Sequence, residues 1–472
     1  MLKKIIQSTR ETVESSSIHA IPNISRNKYS LIKIIWLICF LISFGFCSFS
    51  IYSSVLDYLD YNVVTNIKII NTNQLTFPVI NICNLNLYDT DYSFNTSKAL
   101  FKTIRPDPSF LTLAQAWTAT LLVKLGFDKK LLGHSIHDVI ITCRFNQLEC
   151  DLTKDFEYYY DIIYGNCFRY NSGRDMLGNK VNESKITSQT GKKNGLNLEL
   201  YTGSASENDY PFSVENGYII FITNESLNSG VESNDGIKIS SGLSTSINLN
   251  KYSIIKKAKP YSECTDNLIT KEAYNSECYR KMFEYSNSSE QSLKLKYKFA
   301  DCYFLCFQRF VGKACECQLS FFNYVYYKDM RICFMPESGN KSKYPIDCPT
   351  KAFINFTQTS EFIKECDCPV ECETNNFITS HSTAEYPTMN HARYLMNQSV
   401  IRKRFMDAQK TTVNYSDLKQ NVARVQIYYS ELKETIISEN AKTSIYDLVS
   451  IIGGTLGLFL GWYYCIALKI II

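Results

Sequence analysis

The sequence predicts an α+β membrane protein in which two membrane-spanning helices flank a large, disulfide-rich extracellular domain with a β-rich core. Three observations predict it. Two apolar runs, Leu31–Ile51 and Leu448–Ile472, are each long enough to cross a bilayer. Fifteen of the 18 cysteines lie between Cys83 and Cys372. Eight Asn-x-Ser/Thr sequons (Asn95, Asn182, Asn224, Asn287, Asn340, Asn355, Asn397, Asn414) lie between the two runs.

The first run has 21 residues and one charge, Lys33; the second has 25 and one charge, Lys469. Each exceeds the ~20 residues that carry a helix across a ~30 Å hydrocarbon core. The first is too long and too far from Met1 for a signal peptide, and no small-residue cleavage site follows it. Ahead of it, Lys3, Lys4, Arg10, Arg26, Lys28 and Lys33 outweigh Glu11 and Glu14. The positive-inside rule then assigns residues 1–30 to the cytosol, 31–52 to the first span, 53–447 to the extracellular side and 448–472 to the second span, with both termini cytosolic. Dense cysteines and acceptor sequons in 53–447 fit an oxidising, glycosylating compartment. On this topology Asn23, which also lies in a sequon, stays unmodified.

Within the extracellular region, residues 62–81 mix β-branched and polar residues as a strand entering a sheet does. Residues 101–132 contain helix-compatible stretches, notably 111–125. Residues 192–250 are rich in Gly, Ser and Asn with short apolar runs such as 217–222, the pattern of short strands and turns. Residues 265–308 are charged and helix-prone, and Arg424–Leu432 reads as a strand returning towards the membrane. The net charge of +4 is too weak to suggest nucleic acid, and no phosphate-cradling glycine loop is found. His134 and His137, with Asp138, lack the glutamate of a helical zinc site and read as structural or exposed residues, so no enzyme, cofactor or metal is expected.

From Cys302 the cysteines run Cys302-x3-Cys306, Cys315-Glu-Cys317, Cys333, Cys348 and Cys366-Asp-Cys368-Pro-Val-Glu-Cys372. Short pairs resemble metal ligands, but the compartment and the poor chelating spacing of Cys-x-Cys favour disulfides. Spacing alone leaves their connectivity open.

Several stretches, in order, resemble the epithelial sodium channel, degenerin and acid-sensing ion channel superfamily, the amiloride-sensitive sodium channels. Ser16–Ile24, with His19-Ala20, is similar to the family's His-Gly motif. Gln74–Asn84 carries Phe-Pro-x-Val-x-x-Cys-Asn in the form Phe77-Pro-Val-Ile-Asn-Ile-Cys83-Asn84. Tyr164–Gly173 is similar to the family's Gly-x-Cys-aromatic-x-Phe-Asn-Ser-Gly stretch, the cysteine cluster ends on Cys-x-Cys-Pro-x-x-Cys, and Ile452–Gly461 is like the start of its pore helix.

The resemblance implies a trimer of hand-shaped subunits with helical thumb and finger, a second helix lining a cation pore, and ligands, protons or force acting from outside through a narrow wrist. It implies disulfides Cys83–Cys167, Cys143–Cys150, Cys264–Cys372, Cys302–Cys368, Cys306–Cys366, Cys315–Cys348 and Cys317–Cys333, five of them a ladder stiffening the thumb, with Cys278 left over. It places Tyr61 and Tyr261 at the wrist. Its selectivity tripeptide aligns with Gly461-Trp462-Tyr463, where tyrosine replaces serine; the acidic residue six positions later is Lys469; and the His-Gly glycine is Ala20. Independently, Gly453, Gly457 and Gly461 recur every fourth residue, so one helical face stays small enough for close helix approach, and Gly453-Gly454 marks a point where the helix can unwind.

The expected function is a plasma-membrane sodium channel subunit, in a homo- or heterotrimer with related subunits, gated by an extracellular peptide, protons or force. The alternative is a non-conducting regulatory or receptor-like subunit that needs partners, which Tyr463 and Lys469 favour. The apolar run reaching Ile472 fits a truncated chain or a divergent subunit.

Overall fold

The structure, a computed structural model, describes residues 20–86, 128–161, 164–181, 184–203, 215–224, 236–265, 276–288, 297–319, 348–358, 366–407 and 413–462, with 90, 92–93, 326, 330–331 and 333 between them. The helix expected over 111–125 lies outside these residues. The described residues divide into two compact units: one drawn from 1–66, 256–263 and 438–472, the other from 67–255 and 264–437.

The first unit holds α1 (Ala20–Arg26) and α2 (Ser30–Leu59). At a rise of 1.5 Å per residue, the 30 residues of α2 extend about 45 Å. The helix is long and apolar enough to cross a membrane. Leu31, Ile34, Leu37, Ile38, Leu41 and Ile42 are exposed along it, the placement that lipid rewards and water penalises. It outruns the expected span because Tyr52–Leu59, though more polar, contains neither Gly nor Pro to stop it.

The second unit is built on two large sheets and a small two-stranded one. Strands β1 (Val63–Asn71), β2 (Leu75–Thr76) and β3 (Val79–Asn84) follow α2. After α3 (Ile136–Val139) come β4 (Ile140–Phe145), β5 (Leu148–Glu149), β6 (Phe156–Asp161), β7 (Gly165–Tyr170), β8 (Ile186–Thr187) and β9 (Leu196–Tyr201). Then follow β10 (Tyr218–Thr223), β11 (Ile237–Ile239) and β12 (Leu243–Ile255). Helices α4 (Glu277–Ser288), α5 (Phe299–Cys315) and α6 (Cys348–Gln358) precede β13 (Glu373–Glu385). Short helices α7 (Met389–Leu395), α8 (Ser399–Asp407) and α9 (Tyr415–Asn421) lead into β14 (Val422–Ala441). β14 runs well past the expected Leu432.

The larger sheet has the order β13-β12-β14-β9-β4-β5, with β1 also on β14; the smaller is β11-β10-β3-β7-β6. Alternation explains the layering. On β9, Leu196, Leu198 and Leu200 enter the core while Asn197 and Glu199 face away; on β14, Val425 and Ile427 enter it while Arg424 and Gln426 do not. The core lies between the sheets, where Phe77 meets the rings of Phe145, Tyr170 and Tyr429 at centroid distances of 5.0–6.3 Å.

The motif stretches 74–84 and 164–173 run side by side. Cys83 stands opposite Cys167 in the antiparallel β3/β7 register and is bonded to it. Arg169 donates from Nε to Asn81 Oδ1 at 2.9 Å and stacks its guanidinium 3.6 Å from the Tyr159 ring centroid. Asn171 adopts a left-handed conformation (φ 62°), which Asn tolerates better than most residues. There its Nδ2 donates to the Phe77 carbonyl at 2.6 Å while its Oδ1 accepts from the Lys185 amide at 2.8 Å.

A second core surrounds α5. Tyr303, Phe307 and Phe310 share one helical face and all meet Phe356 of α6, at 5.2, 5.3 and 5.6 Å between centroids. Cys302 and Cys306, one turn apart, bond Cys368 and Cys366, and Cys315 bonds Cys348 at the start of α6. Cys317–Cys333, Cys264–Cys372 and, on β4, Cys143–Cys150 are also bonded. Cys278 is a buried thiol in this second core.

Candidate functional site

Two places in the first unit carry the residues the sequence points to: the end of α2, and the helix that follows β14. At Asp60, α2 stops; Tyr61 next turns left-handed (φ 50°), the position where helices commonly end on glycine. A non-glycine residue there costs about 1–2 kcal/mol. The turn aims the Tyr61 ring edge-on at Tyr261, with centroids 5.5 Å apart and an interplanar angle of 81°. Tyr58, one turn back, lies 6.2 Å from Tyr61. Tyr261 carries Lys257 Nζ 4.4 Å from its own ring centroid. Such contacts contribute about 0.5–1.5 kcal/mol for the ring pair and about 0.5–1 kcal/mol for the cation, which offsets the left-handed turn.

The end of β14 joins the same cluster. Glu439 Oε2 accepts from the Lys257 amide at 3.2 Å, the Lys442 amide donates to the Asn62 carbonyl at 2.9 Å, and Lys442 Nζ pairs with Asp57 at 3.1 Å. Ser444 then caps α10 (Ile445–Leu456) in a reciprocal box with Asp447, which fixes where the helix starts. Lys257, Glu439, Lys442 and Asp57 carry no motif of their own; sequence reasoning reached only the two tyrosines.

The helix after β14 is α-helical through Gly453 and Gly454, and the departure from α geometry lies one turn later, in a π-helical turn over Gly457–Trp462. Gly453 and Gly454 instead lend their carbonyls to the Gly457 amide. A widened turn of this kind re-aims backbone carbonyls and often marks functional positions in helices. A Cβ built on Gly453, Gly454 or Gly457 meets nothing within 4 Å among the described residues, so the face carrying Gly453 and Gly457 is open to them. Phe459 stacks on Phe46 of α2 at 6.5 Å. Gly461 and Trp462 fall in the π-helical turn; Tyr463 and Lys469 lie outside the described residues, as does His19, while Ala20 opens α1.

The family model described as "Amiloride-sensitive sodium channel" matches residues 12–462, which takes in α2, both sheets, the cross-linked helices and the π-helical turn. The chain belongs to the amiloride-sensitive sodium channel family. Members of this family are ion channels rather than enzymes. The chain is 24% identical over 471 residues to the bile acid-sensitive ion channel of Mus musculus, covering 95% of this chain and 83% of that one. It is 25% identical over 355 residues to the epithelial sodium channel subunit gamma-2 of Xenopus laevis, and 26% identical over 334 residues to the FMRFamide-activated amiloride-sensitive sodium channel of Cornu aspersum. It spans 47% of the length of each of these last two.

Among the sequons of this family member, Asn224, Asn355, Asn397 and Asn414 are exposed, whereas Asn95, Asn182 and Asn340 lie outside the described residues. Asn287 falls within α4. The Asn414 side-chain oxygen caps α9 by accepting from the Asp417 amide at 2.7 Å. His137 is exposed, and Asp138 is engaged by Ser135 at 2.7 Å and by Lys403 at 3.1 Å. Burial opposes its charged form, but the Ser135 hydroxyl and the Arg404 and Lys403 cations hold its carboxyl below the usual range.

Proposed function

We propose that the chain is a subunit of a trimeric, sodium-conducting channel of the plasma membrane, opened by an extracellular peptide, by protons or by force. The family match over 12–462 carries this reading, because it takes in the first apolar segment, the cysteine-rich region and the first fifteen residues of the second apolar segment. On this reading both termini are cytosolic, and glycans occupy several of the sequons from Asn95 to Asn414 but not Asn23. Residues 448–472 line the pore, and the open glycine face of α10 meets a neighbouring subunit's helix in lipid. Tyr61 and Tyr261 couple the extracellular strands to the spanning helices. The relatives' names differ in stimulus (a bile acid for one, a peptide for another), so family membership does not select this chain's ligand.

Two residues favour a second reading, a subunit of the same fold that conducts only with partners. Three copies of Tyr463 narrow the path or rotate behind the helix, leaving Gly461 carbonyls as the cation ligands; carbonyls attract cations without strongly sizing them. Three copies of Lys469 oppose cations at the inner mouth unless they snorkel away. The test expresses the chain alone and measures whole-cell reversal potentials with sodium and potassium exchanged. The expected result is a small or weakly sodium-selective current, enlarged in Tyr463→Ser/Lys469→Glu. No current alone, with current restored by a related subunit, supports the second reading. A large, strongly sodium-selective wild-type current places Tyr463 and Lys469 outside the conduction path.

A further inference from the structure

On the polar face of the larger sheet, within the second unit, lies a cleft of about 670 Å³ whose lining includes Arg144, Lys192, Lys193, Arg424, Glu199 and His391. The strands explain the collection. Thr142 and Arg144 alternate on β4, Asn197 and Glu199 on β9, and Arg424 and Gln426 on β14, with Arg144 opposite Asn197 and Arg424 opposite Glu199 in the antiparallel register. Four cations therefore face one carboxylate.

That carboxylate is already engaged. Glu199 Oε1 accepts from the Tyr386 hydroxyl at 2.9 Å and meets His391 Nε2 at 2.6 Å, while Oε2 accepts from the Thr142 hydroxyl at 2.7 Å. Among the described residues, Arg144, Lys192, Lys193 and Arg424 make no ion pair. The backbone that carries the two exposed lysines is anchored on both sides. Their turn is tied to β14 by the Gly191 amide donating to the Tyr429 carbonyl at 2.9 Å, and to β9 by Asn197 Nδ2 donating to the Lys192 carbonyl at 2.9 Å. Gly195, which follows the lysines, sits so close to β14 that a built Cβ would fall 2.0 Å from the Ile427 carbonyl oxygen. Like charges gathered on one concave surface repel unless an anion joins them.

We propose that this cleft binds an extracellular small molecule carrying two or more carboxylates. Arg144 and Arg424 lie on strands separated by β9 and are offset by two residues along it, which puts their Cα atoms about 12 Å apart. One carboxylate cannot take both guanidiniums in bidentate geometry, whereas a ligand with two acidic groups satisfies one at each end. The lysines contribute point charges at the rim. The cleft volume fits a small ligand.

The test uses the purified full chain in nanodiscs and the probe propane-1,2,3-tricarboxylate, with the uncharged triamide as control. The tricarboxylate, not the triamide, is expected to raise the melting temperature and bind in calorimetry, more weakly as salt increases. Arg144→Gln and Arg424→Gln are each expected to weaken binding about tenfold or more. Lys154→Gln, at an exposed site outside the cleft, leaves binding unchanged. A double Lys192→Gln/Lys193→Gln variant, on surface positions, gives a second measure if an arginine variant folds poorly. Three results overturn the proposal: no binding, equal binding to all variants, or a wild-type cleft that excludes the probe while Arg144→Gln breaks the oligomer. The last would mean that a neighbouring subunit's acidic side chains fill it.

Discussion

Around Phe356, helices α5 and α6 are fixed by a ring cluster and by disulfides at Cys302, Cys306 and Cys315, with Cys317 bonded just beyond α5. Around Tyr61, the chain relies on one ring pair, a lysine over a ring and a few hydrogen bonds. The first region can change shape only as a block, because each cross-link constrains the chain covalently. In the second, every contact is worth about 1 kcal/mol, so two arrangements of the same groups can lie within thermal reach. A conformational equilibrium is therefore cheaper to bias around Tyr61 than among the cross-linked helices.

The largest expected effect tests the block. Replacing Cys302 and Cys368 together by alanine removes one bridge without leaving a lone thiol. A native disulfide in an extracellular domain contributes about 2–5 kcal/mol. The double variant should lose surface expression measured by biotinylation, and its melting temperature should fall. Unchanged surface density and melting would mean that the ring cluster alone holds these helices.

A second test works within the same region through charge. Asp301, in the first turn of α5, is 8% exposed. Burial, and then the Glu371 carboxylate, push its pKa up to about 6 against the pull of Lys298. The folded state thus holds this proton more tightly than the unfolded chain. Stability is full below about pH 4, falls as pH rises towards 6, and then levels. The shift corresponds to about 3 kcal/mol. Asp301→Asn should therefore melt higher than wild type at pH 7.4 and alike at pH 4. A variant advantage that does not vary with pH would show that Asp301 titrates normally.

How much of this was legible in sequence differs by region for physical reasons. The apolar run of α2 was visible because lipid selects composition, but its extension to Leu59 was not, because a helix need not stop where polarity begins. The cleft was written as Leu-Asn-Leu-Glu-Leu on β9 and Arg-Val-Gln-Ile on β14. That alternation shows that each strand has a polar face; only the long-range pairing of β4, β9 and β14 shows that Arg144, Glu199 and Arg424 share one. The glycine pair at 453–454 suggests a helix break, whereas the π-helical turn starts at Gly457, a choice of hydrogen-bond register that no single residue type encodes.

The smallest effect tests the weakly held side of the comparison. Tyr61→Ala keeps an unfavourable left-handed residue and removes its ring; Tyr261→Ala removes the other ring and the surface under Lys257. Each should shift the half-activating dose of the channel's stimulus by roughly 2- to 10-fold, matching a contact of about 0.5–1.5 kcal/mol, with surface expression near wild type. Because the rings touch at 5.5 Å, the double variant should shift activation by less than the two single effects combined. Tyr61→Phe, which keeps the ring and loses only the hydroxyl, should behave as wild type. Breaking the exposed Asp57–Lys442 pair by Lys442→Ala serves as a calibration: such pairs contribute about 0.2–1 kcal/mol and fade with salt, so its effect should shrink at high ionic strength while that of the ring pair persists. Additive single effects at Tyr61 and Tyr261, or activation unchanged in both, would leave the ring contact as packing without a part in opening.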